Sequence, residues 1–242
     1  MADSSKQSGD LNSAGSASPF PINQSAALSY WSSVPMSDDG MLGGYGPISQ
    51  IDLDGSSKFL TKLNKEGIVS PAGTWVSRAV DFGAGFGRIT AGLLMQHCDI
   101  IDVVEPVAHF TTSSPNFETV RSAGRLGDIY NVGLESFHPK HSYNLIWSQW
   151  CLGQLTDEQL VSLFARCVAA LKEGGIIVVK ENVLRGSRQE DEYDDVDSSV
   201  TRLQTSWTKI FSDSRLRIIA EEVQKGFPRE LYPVMTWALQ PI

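Results

Sequence analysis

The fold of this chain is decided by the stretch Ala79-Val80-Asp81-Phe82-Gly83-Ala84-Gly85-Phe86-Gly87-Arg88. Its apolar first half predicts a buried strand, and its three alternating glycines predict a sharp turn that opens a helix. Glycine lets the backbone approach a ligand closely, and the first turn of a helix offers unpaired N–H groups. The stretch therefore predicts a site for a nucleotide-containing cofactor.

The spacing of these glycines separates two kinds of cofactor. A dinucleotide-binding turn follows the pattern G-x-G-x-x-G, but the position of its third glycine, counted from Gly83, is occupied by Arg88. The pattern here is D-x-G-x-G-x-G, which favours S-adenosylmethionine over NAD, because S-adenosylmethionine has an amino acid carboxylate and no pyrophosphate. Arginine can pair with a carboxylate, so Arg88 is predicted to bind that group.

A second predicted strand supplies a candidate ribose ligand. Residues 99–106 form a short apolar run rich in β-branched side chains, which is typical of a buried parallel strand. Glu105 stands at its carboxyl end, 22 residues after Gly83, close to the spacing of about 20 between such a turn and the carboxylate that binds the ribose. An acid at a strand end can also merely solvate a turn, but the spacing favours the ribose role.

Strands and helices alternate along the next part of the chain, as a doubly wound sheet requires. A helix is predicted directly after Arg88, and strands are predicted over residues 143–148 and 176–180. Between these strands, the capping-box pattern Thr156-Asp157-Glu158-Gln159 predicts the start of a helix, and residues 172–175 are predicted to end it.

The C-terminal part predicts one more helix and a hairpin. Ser198 or Ser199 is predicted to cap a helix that runs to Phe211, because apolar residues recur there at helical spacing. Residues 216–223 and 232–239 are predicted to pair as a hairpin at the sheet edge. A mostly parallel α/β sheet with an antiparallel edge fits a methyltransferase better than a dehydrogenase.

The composition bounds the domains and the partners. The 242 residues suffice for one α/β domain, and the first two dozen are small, polar and aperiodic, so we expect a disordered tail over residues 1–24 and a single domain over 25–242. Three cysteines and four histidines form no ligand pattern, so no metal is expected. A net charge of −8 without a basic cluster makes nucleic acid a poor partner.

The sequence also shows neither an N-terminal targeting signal nor an apolar run of membrane-spanning length. We therefore expect a protein of the cytoplasm, and also of the nucleus, that works away from membranes. A monomer or weak dimer is expected.

Five motifs together resemble those of a known family. They are Tyr30-Trp31, Asp39-Gly40-Met41-Leu42-Gly43-Gly44-Tyr45-Gly46, Asp81-Phe82-Gly83-Ala84-Gly85-Phe86-Gly87-Arg88-Ile89-Thr90, Ile146-Trp147-Ser148-Gln149-Trp150 and Asp194-Asp195-Val196-Asp197-Ser198-Ser199-Val200. From Tyr30 to its end the chain is similar to the α-N-terminal protein methyltransferases, which act on Xaa-Pro-Lys or Xaa-Pro-Arg amino termini. Many methyltransferases share the glycine turn, whereas the second and fifth motifs are far more particular.

The resemblance implies a Rossmann-like class I methyltransferase fold, in which a mostly parallel seven-stranded sheet with an antiparallel edge hairpin has helices on both faces and extra N-terminal helices. It implies S-adenosylmethionine as the cofactor and S-adenosylhomocysteine as the product. The implied cofactor ligands are Gly83, Arg88, Glu105, Leu134, Glu135 and Gln149. The implied peptide channel is lined by Trp31, Leu42, Trp150, Asn182, Asp194, Asp197, Ser199 and Tyr232.

Within that channel the resemblance also implies roles for single residues. Trp150 would pack on the substrate proline, Asn182 would hold the backbone near the terminus, and the aspartates would receive the Lys or Arg at the third position. Independently of the family, the six acids between Gln189 and Ser198, with no basic residue among them, would attract a cationic peptide. Most charge runs, however, are only solvated surface.

Asp197 is the candidate proton acceptor for the substrate amine, and Asn182 and Gln154 complete the candidate catalytic set. The family often pairs this aspartate with a histidine, whereas this chain has Gln154, and glutamine takes up no proton at neutral pH. We therefore expect Asp197 to act alone or through water, with Gln154 orienting it.

Two other functions are compatible with the sequence. One is methylation of a small molecule by the same fold, and the other is a cofactor-binding scaffold that has lost catalysis, which the glutamine at position 154 suggests. Methylation of a proline-second peptide that requires its free α-amine would separate these alternatives from a protein N-terminal methyltransferase.

Overall fold

The structure is a computed structural model that describes residues 20–69, 76–186 and 188–242. Seven strands form one sheet in the order β3-β2-β1-β4-β5-β9-β8, and two short strands form a separate ribbon, β6-β7. The strands are β1 (Val76–Phe82), β2 (Cys98–Val104), β3 (Leu126–Tyr130), β4 (Tyr143–Gln149), β5 (Leu171–Asn182), β6 (Glu192–Asp194), β7 (Ser199–Thr201), β8 (Leu216–Val223) and β9 (Val234–Pro241). Strands β1 to β5 pair in parallel, and β9 pairs antiparallel with both β5 and β8, which confirms the predicted edge hairpin.

Helices cover both faces of the sheet. They are α1 (Gln24–Ser33), α2 (Asp38–Met41), α3 (Ile48–Lys65), α4 (Arg88–Gly92), α5 (Ala108–Ser113), α6 (Pro115–Ser122), α7 (Asp157–Ala170) and α8 (Gln204–Asp213). Val80 of β1 belongs to the core under α7 and α8, whereas its neighbour Ala79 belongs to the core under α3, α4 and α6. This alternation follows from the period of two in a strand, and it makes the sheet the middle layer of the predicted class I methyltransferase fold.

Helix α7 begins as predicted but ends earlier. Thr156 and Gln159 form the complete capping box. The prediction that residues 172–175 end the helix is wrong, because the helix already stops at Ala170 and β5 begins at Leu171. Gly174, with a φ of +72°, allows the irregular pairing with β4 in this part of the strand.

The predicted cap at Ser198 or Ser199 is also wrong. Ser199 starts β7, which pairs antiparallel with β6, and α8 begins only at Gln204. Asp191 of the acidic stretch accepts hydrogen bonds from the backbone N–H of Leu203 and the hydroxyl of Ser206, both at 2.7 Å, and so holds the start of α8. Val200 is buried as a residue of β7, so its apolar character, which the prediction assigned to a helix face, belongs to a strand.

The N-terminal region contributes to the body of the protein. Most of the predicted disordered tail, residues 1–19, lies outside the described residues. Its last five residues are described, and among them Phe20 stacks on Tyr193 with ring centroids 6.2 Å apart. Within the three described ranges, no helix is both long and apolar enough to cross a membrane.

Candidate functional site

The glycine turn connects β1 to α4 as predicted. Gly83, Gly85 and Gly87 all have left-handed φ values, of +60°, +54° and +85°. A Cβ atom on Gly83 would lie within van der Waals overlap of the Cβ of Cys151, so this position requires glycine for its space as well as for its backbone conformation. The turn therefore brings the backbone to the carboxyl ends of β1 and β4, where open α/β sheets bind their ligands.

A cavity of about 300 Å³ lies at this edge of the sheet under helix α1. It is lined by all six residues predicted to bind the cofactor, namely Gly83, Arg88, Glu105, Leu134, Glu135 and Gln149. Its size is within the range of about 300–1,000 Å³ that small-molecule sites have. These side chains match the three parts of S-adenosylmethionine. The arginine suits its carboxylate, the acid Glu105 suits its ribose, and the apolar walls suit its adenine.

Glu105 is buried and already holds the glycine turn. One carboxylate oxygen accepts the backbone N–H of Gly85 at 2.7 Å, and the other accepts that of Val107 at 2.8 Å. Each oxygen of an ionised carboxylate retains a further lone pair, which can accept a ribose hydroxyl. Burial raises the pKa of Glu105 to about 7, although these two backbone hydrogen bonds act in the opposite direction.

We therefore expect binding of S-adenosylhomocysteine to weaken below neutral pH. Protonation of Glu105 removes the charge that strengthens its hydrogen bonds to ribose hydroxyls, and a pKa of about 7 predicts a loss of affinity of about tenfold between pH 8 and pH 6. Isothermal calorimetry over this range measures the effect. Glu105→Gln should bind more weakly at pH 8 and show a flatter pH profile; a profile that is unchanged by this substitution would contradict the role of Glu105.

Asp52 of α3 is a residue of the site that the sequence reasoning missed. Its carboxylate accepts hydrogen bonds from Arg88 Nη1 and Gln149 Nε2, each at 2.8 Å, and forms an ion pair with Lys180 Nζ at 2.5 Å. Burial alone would raise the pKa of Asp52, but the adjacent cations Lys180 and Arg88 hold it below its usual range. Asp52 thus orients two predicted cofactor ligands, Arg88 and Gln149.

Arg88 therefore has a protein partner as well as a place in the cavity wall. Its guanidinium pairs with Asp52 and lies 5.5 Å from the ring centroid of Trp150. A guanidinium has five N–H donors, so pairing with Asp52 is compatible with binding a ligand carboxylate. The missed signal was the acid at position 52, which falls on the buried face of α3 together with Ser49 and Ser56.

A second cavity of about 230 Å³ adjoins the first. It is lined by the predicted residues Trp31, Leu42, Trp150, Gln154, Asn182, Asp197, Ser199 and Tyr232. Four of these, Trp31, Leu42, Trp150 and Gln154, line both cavities. The fold therefore places the candidate peptide channel directly against the candidate cofactor site.

The acidic stretch divides into residues with different contacts. Asp194 is exposed and lines neither cavity, and its Oδ1 accepts the backbone N–H of Val196 at 2.8 Å. Glu192 pairs with Arg188 at 2.7 Å, and Asp191 holds the start of α8. Of the six acids, only Asp197 lines either of these two cavities. Asp194 pairs with Ser199 across the β6-β7 ribbon, so the structure places it beside the predicted peptide ligands but outside the cavity that they line.

The carboxylate of Asp197 is the reactive feature of the second cavity. Its Oδ1 is a buried atom without a hydrogen-bond partner among the described residues, and its Oδ2 lies 3.4 Å from Gln154 Nε2. Burial and the nearby charge of Asp194 raise the pKa of Asp197, while hydrogen bonds with Ser199 act to lower it. A partly buried carboxylate with a spare acceptor fits an N–H donor of a substrate.

Trp150 follows β4 in a conformation that non-glycine residues seldom adopt, with a φ of +52°. Its indole N–H donates to Asn182 Oδ1 at 3.1 Å, which holds the ring in the wall shared by the two cavities. Such strain tends to persist at functional sites, where surrounding contacts enforce it. Trp147, by contrast, is fully buried in the core.

Glu181 is a second residue that supports the site and to which the sequence analysis gives no role. Its Oε1 accepts the backbone N–H groups of Cys151 and Leu152 at 3.0 and 2.9 Å, so it holds the chain between Trp150 and Gln154. Burial raises the pKa of Glu181 to about 7. The sequence carries no local signal for this role, because the segments that Glu181 joins are about 30 residues apart.

Comparisons with known proteins identify the family of this chain. A family model described as "AdoMet dependent proline di-methyltransferase" matches residues 21–240. The chain is 43% identical to "Alpha N-terminal protein methyltransferase 1" of Schizosaccharomyces pombe, over 90% of this chain and 95% of that protein. It is 40% identical to "N-terminal Xaa-Pro-Lys N-methyltransferase 1" of Rattus norvegicus, over 89% of this chain and 94% of that protein.

A solved structure supports the same assignment. A SAM-dependent methyltransferase from Leishmania major superposes with a TM-score of 0.77 at 35% identity, covering 89% of this chain and 82% of the other. The seven-stranded, mostly parallel sheet with its antiparallel edge agrees with this relationship. The chain belongs to the family of S-adenosylmethionine-dependent proline di-methyltransferases.

Proposed function

We propose that this protein transfers methyl groups from S-adenosylmethionine to the free α-amino group of proteins that begin Xaa-Pro-Lys or Xaa-Pro-Arg once the initiator methionine is removed. The names of its relatives support this substrate class. The observation that carries the proposal is the half-buried carboxylate of Asp197, which lines a cavity that shares a wall with the cofactor cavity. An amino terminus that enters this cavity would bring its N–H donors to this carboxylate.

The chain's own residues would position the amine and accept its proton. When bound, S-adenosylmethionine supplies an electrophilic methyl group on its sulfonium. A free α-amino group has a pKa of about 7.7–8.0, so at physiological pH much of it carries a proton that must leave before the nitrogen can attack. Asp197, whose pKa is raised by burial, is suited to accept that proton and to orient the amine.

Two further groups would select the substrate. The Trp150 ring offers a flat apolar surface for the proline, and its hydrogen bond to Asn182 fixes that surface. The acids of the stretch 190–197 would favour a cation at the third substrate position through their field, with Asp194 acting from outside the cavity. A substrate peptide with Glu at its third position should therefore have a markedly higher KM.

The direct test is methylation of an Ala-Pro-Lys or Ser-Pro-Lys peptide followed by mass spectrometry. The matched control is the same peptide with an acetylated α-amine, which retains the proline and lysine but has no nucleophile. Methylation of the free peptide alone is expected. If the acetylated peptide is methylated as well, the lysine is the acceptor. If neither is methylated although S-adenosylhomocysteine binds, the proposed substrate class is wrong, and the scaffold and small-molecule alternatives are the ones left.

The setting in which the protein works is a further part of the proposal. We propose a monomer or weak dimer of the cytoplasm and nucleus that engages neither nucleic acid nor membranes. The net charge of −8 supports the exclusion of nucleic acid, because binding a phosphate backbone needs basic clusters. Light scattering after size-exclusion chromatography, and fluorescence microscopy of the tagged full chain, test these statements.

A further inference from the structure

Ser198, directly after the candidate base Asp197, has an unusual backbone conformation. Its φ is +56°, a left-handed value that is unfavourable for a non-glycine residue. Its side chain is nonetheless almost fully buried, with 1% exposure, and its hydroxyl takes part in two hydrogen bonds. The surrounding structure therefore holds Ser198 in place, and with it the peptide unit that carries Asp197.

In the hydrogen bonds around Ser198, the donor and the acceptor of each bond can be assigned. The backbone N–H of Asn23 donates to Ser198 Oγ at 2.7 Å. Tyr193 Oη lies 3.3 Å from the carbonyl of Pro21, which can only accept, so the single phenolic proton is used there. The 3.0 Å contact between Ser198 and Tyr193 must then use the proton of the serine. In this series of three hydrogen bonds, the N–H of Asn23 and the hydroxyls of Tyr193 and Ser198 each donate once.

The same N-terminal segment is also linked to Asp197 indirectly, through Gln154. Gln24 Nε2 donates to the backbone carbonyl of Gln154 at 2.9 Å, and the Gln154 side chain lies 3.4 Å from Asp197 Oδ2. Residues 20–24 are thus connected to Asp197 by two routes, through Ser198 and through Gln154.

This segment also begins the helix that covers the cofactor cavity. The Asn23 side chain caps α1 by accepting the backbone N–H of Ala26 at 3.0 Å, while its own N–H binds Ser198. Helix α1 supplies Ala27, Leu28 and Trp31 to the wall of the cofactor cavity. Asn23 therefore connects helix α1, which covers the cofactor cavity, to the loop that carries Asp197.

We propose that residues 20–24, Tyr193 and Ser198 form a clasp that positions the Asp197 carboxylate towards the substrate amine and links that position to the cofactor cover. Tyr193 and Ser198 are positioning residues, since they act through Asp197 and line neither the first nor the second cavity. The inference rests on the proposed function, because the role of Asp197 as proton acceptor belongs to it.

The experiment compares Ser198→Ala, Ser198→Gly and Tyr193→Phe with the wild-type chain on an Ala-Pro-Lys peptide. Both Ser198 substitutions remove the hydroxyl, but glycine adopts the left-handed conformation without strain. If the hydrogen bonds position Asp197, both should lower kcat about tenfold with a smaller change in peptide KM. Tyr193→Phe, which keeps the ring stacked on Phe20, should lower kcat by about threefold or more.

Tyr143→Phe is the matched control for a lost tyrosine hydrogen bond. Tyr143 donates to buried Asp102 at 2.9 Å at the amino end of β4, away from the two cavities, so its loss should lower Tm and leave kcat unchanged. A wild-type kcat in Ser198→Gly together with Tyr193→Phe would overturn the clasp. A wild-type chain that methylates no peptide would overturn the proposed function itself, so the two failures are distinguishable.

Discussion

Replacing Asp197 by asparagine is expected to lower kcat for an Ala-Pro-Lys peptide by about 100-fold or more, which is the lower end of what a positioned proton acceptor contributes. Asparagine has nearly the same size, and its amide oxygen can still accept an N–H, so the amine retains a partner. It takes up no proton at neutral pH, however, and the substrate ammonium then has no acceptor beside it. Affinity for S-adenosylhomocysteine should remain close to that of the wild type.

Asp195→Asn is the matched control for this substitution. Asp195 lies on the same loop, its side chain is exposed, and it lines neither cavity, so the same chemical change should alter kcat little. Steady-state kinetics and calorimetry on both variants separate chemistry from binding. An Asp197→Asn enzyme with a wild-type kcat would remove Asp197 from the role of base, and Glu181, whose pKa is also raised, would become the next candidate.

The cofactor site could be predicted from the sequence because its signals are local. The glycines at 83, 85 and 87 need left-handed backbone, and the distance along the chain from the turn to Glu105 reflects one strand–helix–strand unit. Such patterns depend on residues within one supersecondary unit, where steric preference and periodicity decide the structure. All six predicted ligands therefore line one cavity.

The parts that could not be predicted depend on contacts between distant segments. Asp52 stands 36 residues before Arg88 and 128 before Lys180, and only the packing of α3 against the sheet brings the three together. The segment 198–201 carries helical spacing, but its pairing with β6 and the hydrogen bonds of Ser198 with Asn23 and Tyr193 outweigh that local preference. Tertiary contacts override a weak helix propensity, which is the case in this segment.

The largest expected effect on both stability and cofactor binding is that of Asp52→Asn. The change leaves the ammonium of Lys180 fully buried without its counter-ion, and breaking a buried ion pair in this way costs about 3–5 kcal/mol. The hydroxyl of Ser56 and the side-chain oxygen of Gln224 still accept from Lys180, which places the expected loss at the lower end of that range. Arg88 and Gln149 also lose the charged acceptor that orients them, so S-adenosylhomocysteine should bind at least tenfold more weakly.

Asp102→Asn separates the two effects, because Asp102 is an equally buried carboxylate paired with an arginine but lines neither cavity. It accepts from Arg78 at 2.7 Å and from Tyr143 at 2.9 Å, so its loss should also lower the free energy of unfolding measured in urea. Its affinity for S-adenosylhomocysteine, measured where both variants are folded, should match the wild type. If both variants lose stability and both keep wild-type affinity, Asp52 stabilises the fold without orienting the cofactor ligands.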